Sequence, residues 1–178
     1  MTMQQVTVAV HMESQILTGL MKIPEGRRLS DYLNTEFDHQ GDKITFIELN
    51  DVKVSYHDGK QETANTLYVN REAIQMLRTL SPEAAKGTAT KAMPYMFPYV
   101  RKSPVRTMIH MPDYELDGYI YCTNMQTIPQ LLAEKVPFLP CTASDVQNIH
   151  GDSVAKDSFF VLNKKQVKSI HHNNGHLN

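Results

Sequence analysis

The sequence predicts a mostly β protein made of two small five-stranded units in tandem, each with one short helix. Three observations carry this reading. One ordered set of segments recurs about 99 positions later, apolar residues alternate with period two through both copies, and turn-forming residues punctuate the runs at short intervals.

The repeat comes first because it decides the domain organisation. VTVAVHM (Val6 to Met12) is followed by Gly19, and VRTMIHM (Val105 to Met111) is followed by Gly118; both the histidines and the glycines are 99 apart (110 − 11 and 118 − 19). RRLSDYLN (Arg27 to Asn34) aligns with QTIPQLLA (Gln126 to Ala133), keeping Leu29 against Ile128 and Leu33 against Leu132. FIELNDV (Phe46 to Val52) faces FLPCTASDV (Phe138 to Val146), and TLYVNREAIQML (Thr66 to Leu77) faces SFFVLNKKQVKSI (Ser158 to Ile170), pairing Asn70 with Asn163 and Ile74 with Val167. The boundaries that follow are a first unit over 1–80, a proline-rich, aromatic and basic linker over 81–103, a second unit over 104–170 and a flexible tail over 171–178.

Within one unit, Val6, Val8 and Val10 alternate with Thr7, Ala9 and His11, the signature of a strand with one buried face. A second strand runs from Gln15 to Ile23, and Pro24-Glu25-Gly26 turns the chain into a short helix with Leu29, Tyr32 and Leu33 at helical spacing. In the second copy Pro129 falls in the first turn of that helix, where its missing N–H does no harm. Lys43 to Leu49 and Val52 to His57 read as two more strands, the second closed by Asp58-Gly59. Thr66 to Val69 is β-prone, Asn70-Arg71-Glu72 is a tight turn, and Ile74 to Leu77 resumes the apolar pattern. About five strands with a tight turn before the last suit a small barrel, which removes most free sheet edges.

The run RRLSDYLN, then FIELNDV, then YVNREAI resembles a family of small uncharacterised bacterial proteins with an arginine-leucine-serine-aspartate hallmark; in outline each unit also resembles the Sm-like small barrels. The first resemblance implies a cytoplasmic protein and no particular activity. In the second copy the hallmark is replaced by QTIPQLLA, so the polar chemistry of Arg28, Ser30, Asp31 and Asn34 occurs once per chain.

Composition narrows the function. Net charge is −1, against attraction of the whole surface to nucleic acid or anionic lipid. Residues 81–106, however, hold Glu83 alone against Lys86, Lys91, Arg101, Lys102 and Arg106. No long apolar run indicates a membrane span, and two cysteines, Cys122 and Cys141, make no disulfide framework or zinc spacing; at apolar positions of the repeat they read as buried thiols in a cytoplasmic, reducing setting. No cofactor motif, phosphate loop or nucleophile with a base is present, so the chain reads as a non-catalytic protein-protein adaptor or assembly subunit that binds a protein partner or itself.

The candidate partner-binding residues are Arg27, Arg28, Ser30, Asp31 and Asn34, with Arg27 and Asp31 spaced to pair and Ser30 or Asp31 placed to cap backbone groups. An alternative is RNA or single-stranded DNA binding by Tyr95, Phe97, Tyr99, Arg101, Lys102 and Arg106, where aromatics stack on bases and cations neutralise phosphates. A third reading is a small-ligand sensor at the domain junction. His11 and His110 read as structural residues at a strand end, and His171, His172 and His176 as part of the flexible tail; no metal is expected.

Overall fold

The alternation of Val6, Val8 and Val10 places these side chains on one buried face of β1 (Met3–Met12), which pairs antiparallel with β2 (Gln15–Pro24) across the tight turn at Glu13-Ser14. The computed structural model describes residues 2–37, 40–80 and 101–172, and the chain divides into two compact units, Met1–Pro94 and Tyr95–Asn178. Tyr95, Phe97 and Tyr99 of the candidate nucleic-acid segment, most of the expected linker, and His176 lie outside the described residues.

In the first unit β2 leads into α1 (Leu29–Leu33), then β3 (Phe46–Tyr56), β4 (Gln61–Asn70), a 3-10 turn at Arg71–Ala73 and β5 (Ile74–Thr79). The strands lie in the order β5-β1-β2-β3-β4, all pairs antiparallel. Leu29 and Leu33 of α1 are buried, as are Ile47, Leu49, Val52 and Val54 of β3 and Ile74, Met76 and Leu77 of β5; these form the apolar interior that holds the unit together.

One expectation needs correction here. Lys43 to Leu49 and Val52 to His57 do not form two strands; most of their residues lie on the single strand β3. Its inward set runs Ile47, Leu49, then Val52, Val54, an odd-to-even slip. The slip in phase, which in the sequence reads as a turn, is an irregularity at Asp51, whose φ of 51° is left-handed and lets an extra residue through while the strand continues. The turn at Asp58-Gly59 is where the sequence places it, with Gly59 at φ 90° and Asp58 Oδ1 accepting from the Lys60 amide at 2.9 Å.

The second unit contains β6 (Lys102–His110), β7 (Tyr114–Thr123), α2 (Ile128–Ala133), β8 (Phe138–Asn148), β9 (Ser153–Asn163), a 3-10 turn at Lys164–Gln166 and β10 (Ser169–His172). Its strands lie in the order β10-β6-β7-β8-β9, the same succession of fifth, first, second, third and fourth strand. Registers agree over most of their length: Val10 faces Leu77 as Ile109 faces Ile170, Leu20 faces Asn50 as Tyr119 faces Thr142, and Phe46 faces Asn70 as Phe138 faces Asn163; they part at Gln147, where β8 and β9 slip by one residue. In neither unit does a described pairing join the fourth strand to the fifth, so each row of strands is open along its described hydrogen bonds.

Lys102 and Ser103, the last residues of the expected linker, are the first of β6, and His171 and His172, placed by the sequence in the tail, are the last residues of β10, paired with Met108 and Thr107. Among the described residues no helix is long and apolar enough to cross a membrane.

The matched glycines have one physical cause. A Cβ on Gly19 would stand 3.0 Å from the Asn50 carbonyl oxygen and 3.1 Å from a Val52 methyl; on Gly118 it would stand 2.3 Å from the Thr142 carbonyl oxygen and 2.6 Å from Ala143 Cα. At this point the second strand of each unit passes so close to the third that a side chain has no room.

Candidate functional site

The densest polar cluster of the sequence surrounds α1. Arg27 and Arg28 are exposed ahead of the helix, Asp31 is exposed in its first turn, Ser30 is buried, and Asn34 is half-buried at its C-terminal cap. The expected pairing of Arg27 with Asp31 does not form. Arg28 is extended (φ −75°, ψ 152°) and takes Arg27 off the helical path, so the i, i+4 geometry is lost. Arg27 Nη1 instead donates to Thr35 Oγ1 at 3.1 Å, and Thr35 Oγ1 donates to the Asp31 carbonyl at 3.1 Å. Nor does Ser30 or Asp31 cap the helix, because the cap position belongs to Arg28, which makes no side-chain cap bond.

What fixes this end of the unit is a residue that the sequence pattern alone leaves in a plain turn. Arg71 is 8% exposed, and its guanidinium donates to the carbonyls of Leu33, Thr35 (2.9 Å) and Ile44 (2.7 Å). These are carbonyls at the open end of α1 and in the segment entering β3, which the backbone alone leaves without donors. Burial holds the Arg71 pKa below its ordinary value, partly offset by Tyr32 and Glu36. Lys164 plays the corresponding part in the second unit, where its Nζ donates to the carbonyls of Leu132 (3.2 Å) and Glu134 (2.5 Å). The signal was available in the aligned pairs Asn70-Arg71 and Asn163-Lys164, a cation after an asparagine in both tight turns. Both asparagines act alike, each side chain accepting from an amide two residues on, at 3.0 and 3.1 Å.

Beside the Arg71 clamp, β3 and β4 present an outward face with an aromatic pair. Phe46 is 53% and Tyr68 67% exposed. Glu48 is opposite Tyr68 and Phe46 opposite Asn70, which puts the two rings on one face as diagonal neighbours. A polar ladder continues the face, with Asn50 Nδ2 donating to Glu48 Oε1 (3.0 Å) and Thr66 Oγ1 donating to Asn50 Oδ1 (3.1 Å). Phe37, 54% exposed, lies on the segment between α1 and β3. Large apolar groups in such a setting are a feature of surfaces that meet a partner. FIELNDV reads as an apolar strand, and only the phase of its alternation, with Ile47 and Leu49 inward, betrays that Phe46 points out.

The other candidates separate. Arg101, Lys102 and Arg106 are exposed, but Arg106 is engaged by Asp117 through Nε (3.2 Å) and Nη2 (2.8 Å). The matched histidines occupy the same register position in contrasting surroundings. His11 is fully buried opposite Met76, and burial first, then Arg78 and His57, lowers its pKa to about 3. His110 is at the surface, its Nδ1 3.1 Å from Glu115 Oε2 and its ring edge-on to His171 with centroids 5.0 Å apart. Among the described residues no group of three or more His, Cys, Asp or Glu is arranged to hold a metal ion. Cys122 and Cys141 are both buried as free thiols; burial raises both pKa values, that of Cys141 to about 12, which keeps it protonated and unreactive.

Compared with family models, with curated proteins and with solved structures, the chain has no significant match in any of the three.

Proposed function

We propose that this chain is a non-catalytic protein-binding or assembly subunit, a tandem duplication of one small unit of Sm-like barrel type, which engages its partner through the outer face of β3 and β4. The observation that carries the reading is the exposed pair Phe46 and Tyr68 on adjacent strands beside a clamped, rigid helix end. A soluble chain gains nothing in folding from leaving two aromatic rings side by side in water, whereas a partner that covers them gains the burial of both. Arg27, Arg28 and Asp31 supply exposed charge on the adjoining α1 segment, where they steer a partner more than they hold it. The duplication is supported by the shared strand order, the shared registers and the Arg71 and Lys164 devices.

The test is capture by the immobilised chain, wild type against Phe46→Ser/Tyr68→Ser. Both positions are exposed, so the double variant keeps the wild-type melting curve while losing its bound protein by at least tenfold. Undiminished capture by the variant would remove this face from the function.

A further inference from the structure

The matched strands of the two units differ most at their outer edges. On β9, Phe160, Val161, Leu162 and Asn163 are all buried, whereas on β4 the aligned residues are Leu67, half-buried, Tyr68, 67% exposed, Val69, buried, and Asn70, exposed. Consecutive residues of a strand point to opposite faces, so an unbroken buried run is a strand covered on both. The fifth strands show the opposite allocation. Gln75, Met76 and Leu77 of β5 are buried, while their counterparts Lys168, Ser169 and Ile170 are exposed, exposed and half-buried. A fourth strand and a fifth strand are therefore each covered on both faces once in the chain and left more exposed once.

Among the described residues β4 pairs only with β3, and β10 only with β6. β4 is ten residues long and has no proline or lysine, the residue types that most often block an exposed edge. Its one carboxylate, Glu62, is bound to Lys60 and Tyr56 at the end away from Tyr68. Its other half, Thr66 to Asn70, carries the apolar residues Leu67, Tyr68 and Val69. At that end the Arg71 amide donates to the Thr45 carbonyl, and the antiparallel alternation then turns the Tyr68 and Asn70 amides away from β3.

We infer that the partner is a second copy of this chain, whose β10 adds as a strand to the Thr66 to Asn70 half of β4. This rests on the reading of the chain as an assembly subunit and names what it assembles with. The contact joins unlike surfaces, a fourth-strand edge to a fifth-strand edge, so every bound copy presents both again and the assembly is a closed ring or a filament rather than a two-fold dimer.

The test uses native mass with two single-edge variants. Wild type is expected at a multiple of the 20.3 kDa chain mass. Tyr68→Pro removes an outward amide from β4 and His172→Pro removes one from β10; each alone is expected as a single chain. Mixed together they re-form a complex of two chains, because each retains the edge the other lacks. Should proline impair folding in the melting curve, Tyr68→Lys and His171→Lys are the gentler pair, expected to weaken assembly at least tenfold and to complement in the same way. Continued assembly of the β10 variant alone would mean that β4 pairs with β4, and would overturn the inference. So would a wild type that stays a single chain at every attainable concentration; in that case capture of another protein through Phe46 and Tyr68 still decides the broader reading separately.

Discussion

The first unit solves with an arginine what the second solves with a lysine. Arg71 gathers three carbonyls from two segments in one planar fork, whereas Lys164 gathers two with a single ammonium. Correspondingly, α1 has no side-chain N-cap, while α2 has a complete capping box in which Thr127 and Gln130 bind each other's backbone. One unit secures its helix from the C-terminal side and the other from both ends. The same packing problem recurs, and different residues share its solution.

The sharpest way to break this comparison is at the matched glycines. Gly118→Ala should cost about 3 kcal/mol or more, because its Cβ would overlap backbone atoms that cannot rotate away. Gly19→Ala, with its nearest contacts at 3.0 and 3.1 Å, should cost about 1 kcal/mol. Denaturant melts of the two variants test the ranking, and equal losses would mean that the two strand approaches are equally tight, against the unequal distances at Gly19 and Gly118.

The clamps come next. Arg71→Met leaves three carbonyls without their donor and is expected to cost about 2 to 3 kcal/mol, against about 1 kcal/mol for Lys164→Met. A larger loss at Lys164, read from the same denaturant melts, would reverse which unit depends more on its clamp.

The histidine pair sharpens the comparison by pH. The folded-state pKa of His11, about 3, lies below its ordinary value of 6.5, so the unfolded chain binds the proton first. The contribution of His11 to stability is expected to be full above about pH 6.5 and to be lost as pH drops from there towards 3. His11→Leu should abolish the part of that decline between pH 6.5 and about 5, where carboxylates contribute little, measured by urea midpoints across pH. His110→Gln, at the surface beside Glu115, should leave the decline in place because His11 still causes it.

A small effect, opposite in sign, is expected at Thr107, which stands 99 positions after Val8. It is 1% exposed, and its hydroxyl has no hydrogen-bond partner among the described residues. Thr107→Val should stabilise the chain by about 1 kcal/mol, since it replaces an unsatisfied buried hydroxyl with the isosteric methyl that the first unit already uses. A loss of stability would show that the hydroxyl is engaged.

How much of this was legible in the sequence depends on range. The strands were, because alternation is local, and so was the helix over Pro129, whose ring fits the first turn of α2. The continuity of β3 was not, since a left-handed residue at Asp51 shifts the apolar phase just as a turn would. The polar hallmark was visible as a cluster, but the bond partners of Arg27 depend on the backbone of Arg28, and the reach of Arg71 spans 38 residues to Leu33. Nothing local announces such a contact. The exposed face was hidden for a related reason: Phe46 and Tyr68 come from different segments, and only strand register makes them neighbours.

Amide hydrogen exchange of the full chain at low and high concentration tests the central claim most directly. The peptides covering Thr66 to Asn70 and Ser169 to His172 are predicted to gain protection together as concentration rises, while those covering β5 and β9 stay equally protected throughout. Exchange in β4 and β10 that is the same at every concentration would contradict self-assembly through these edges.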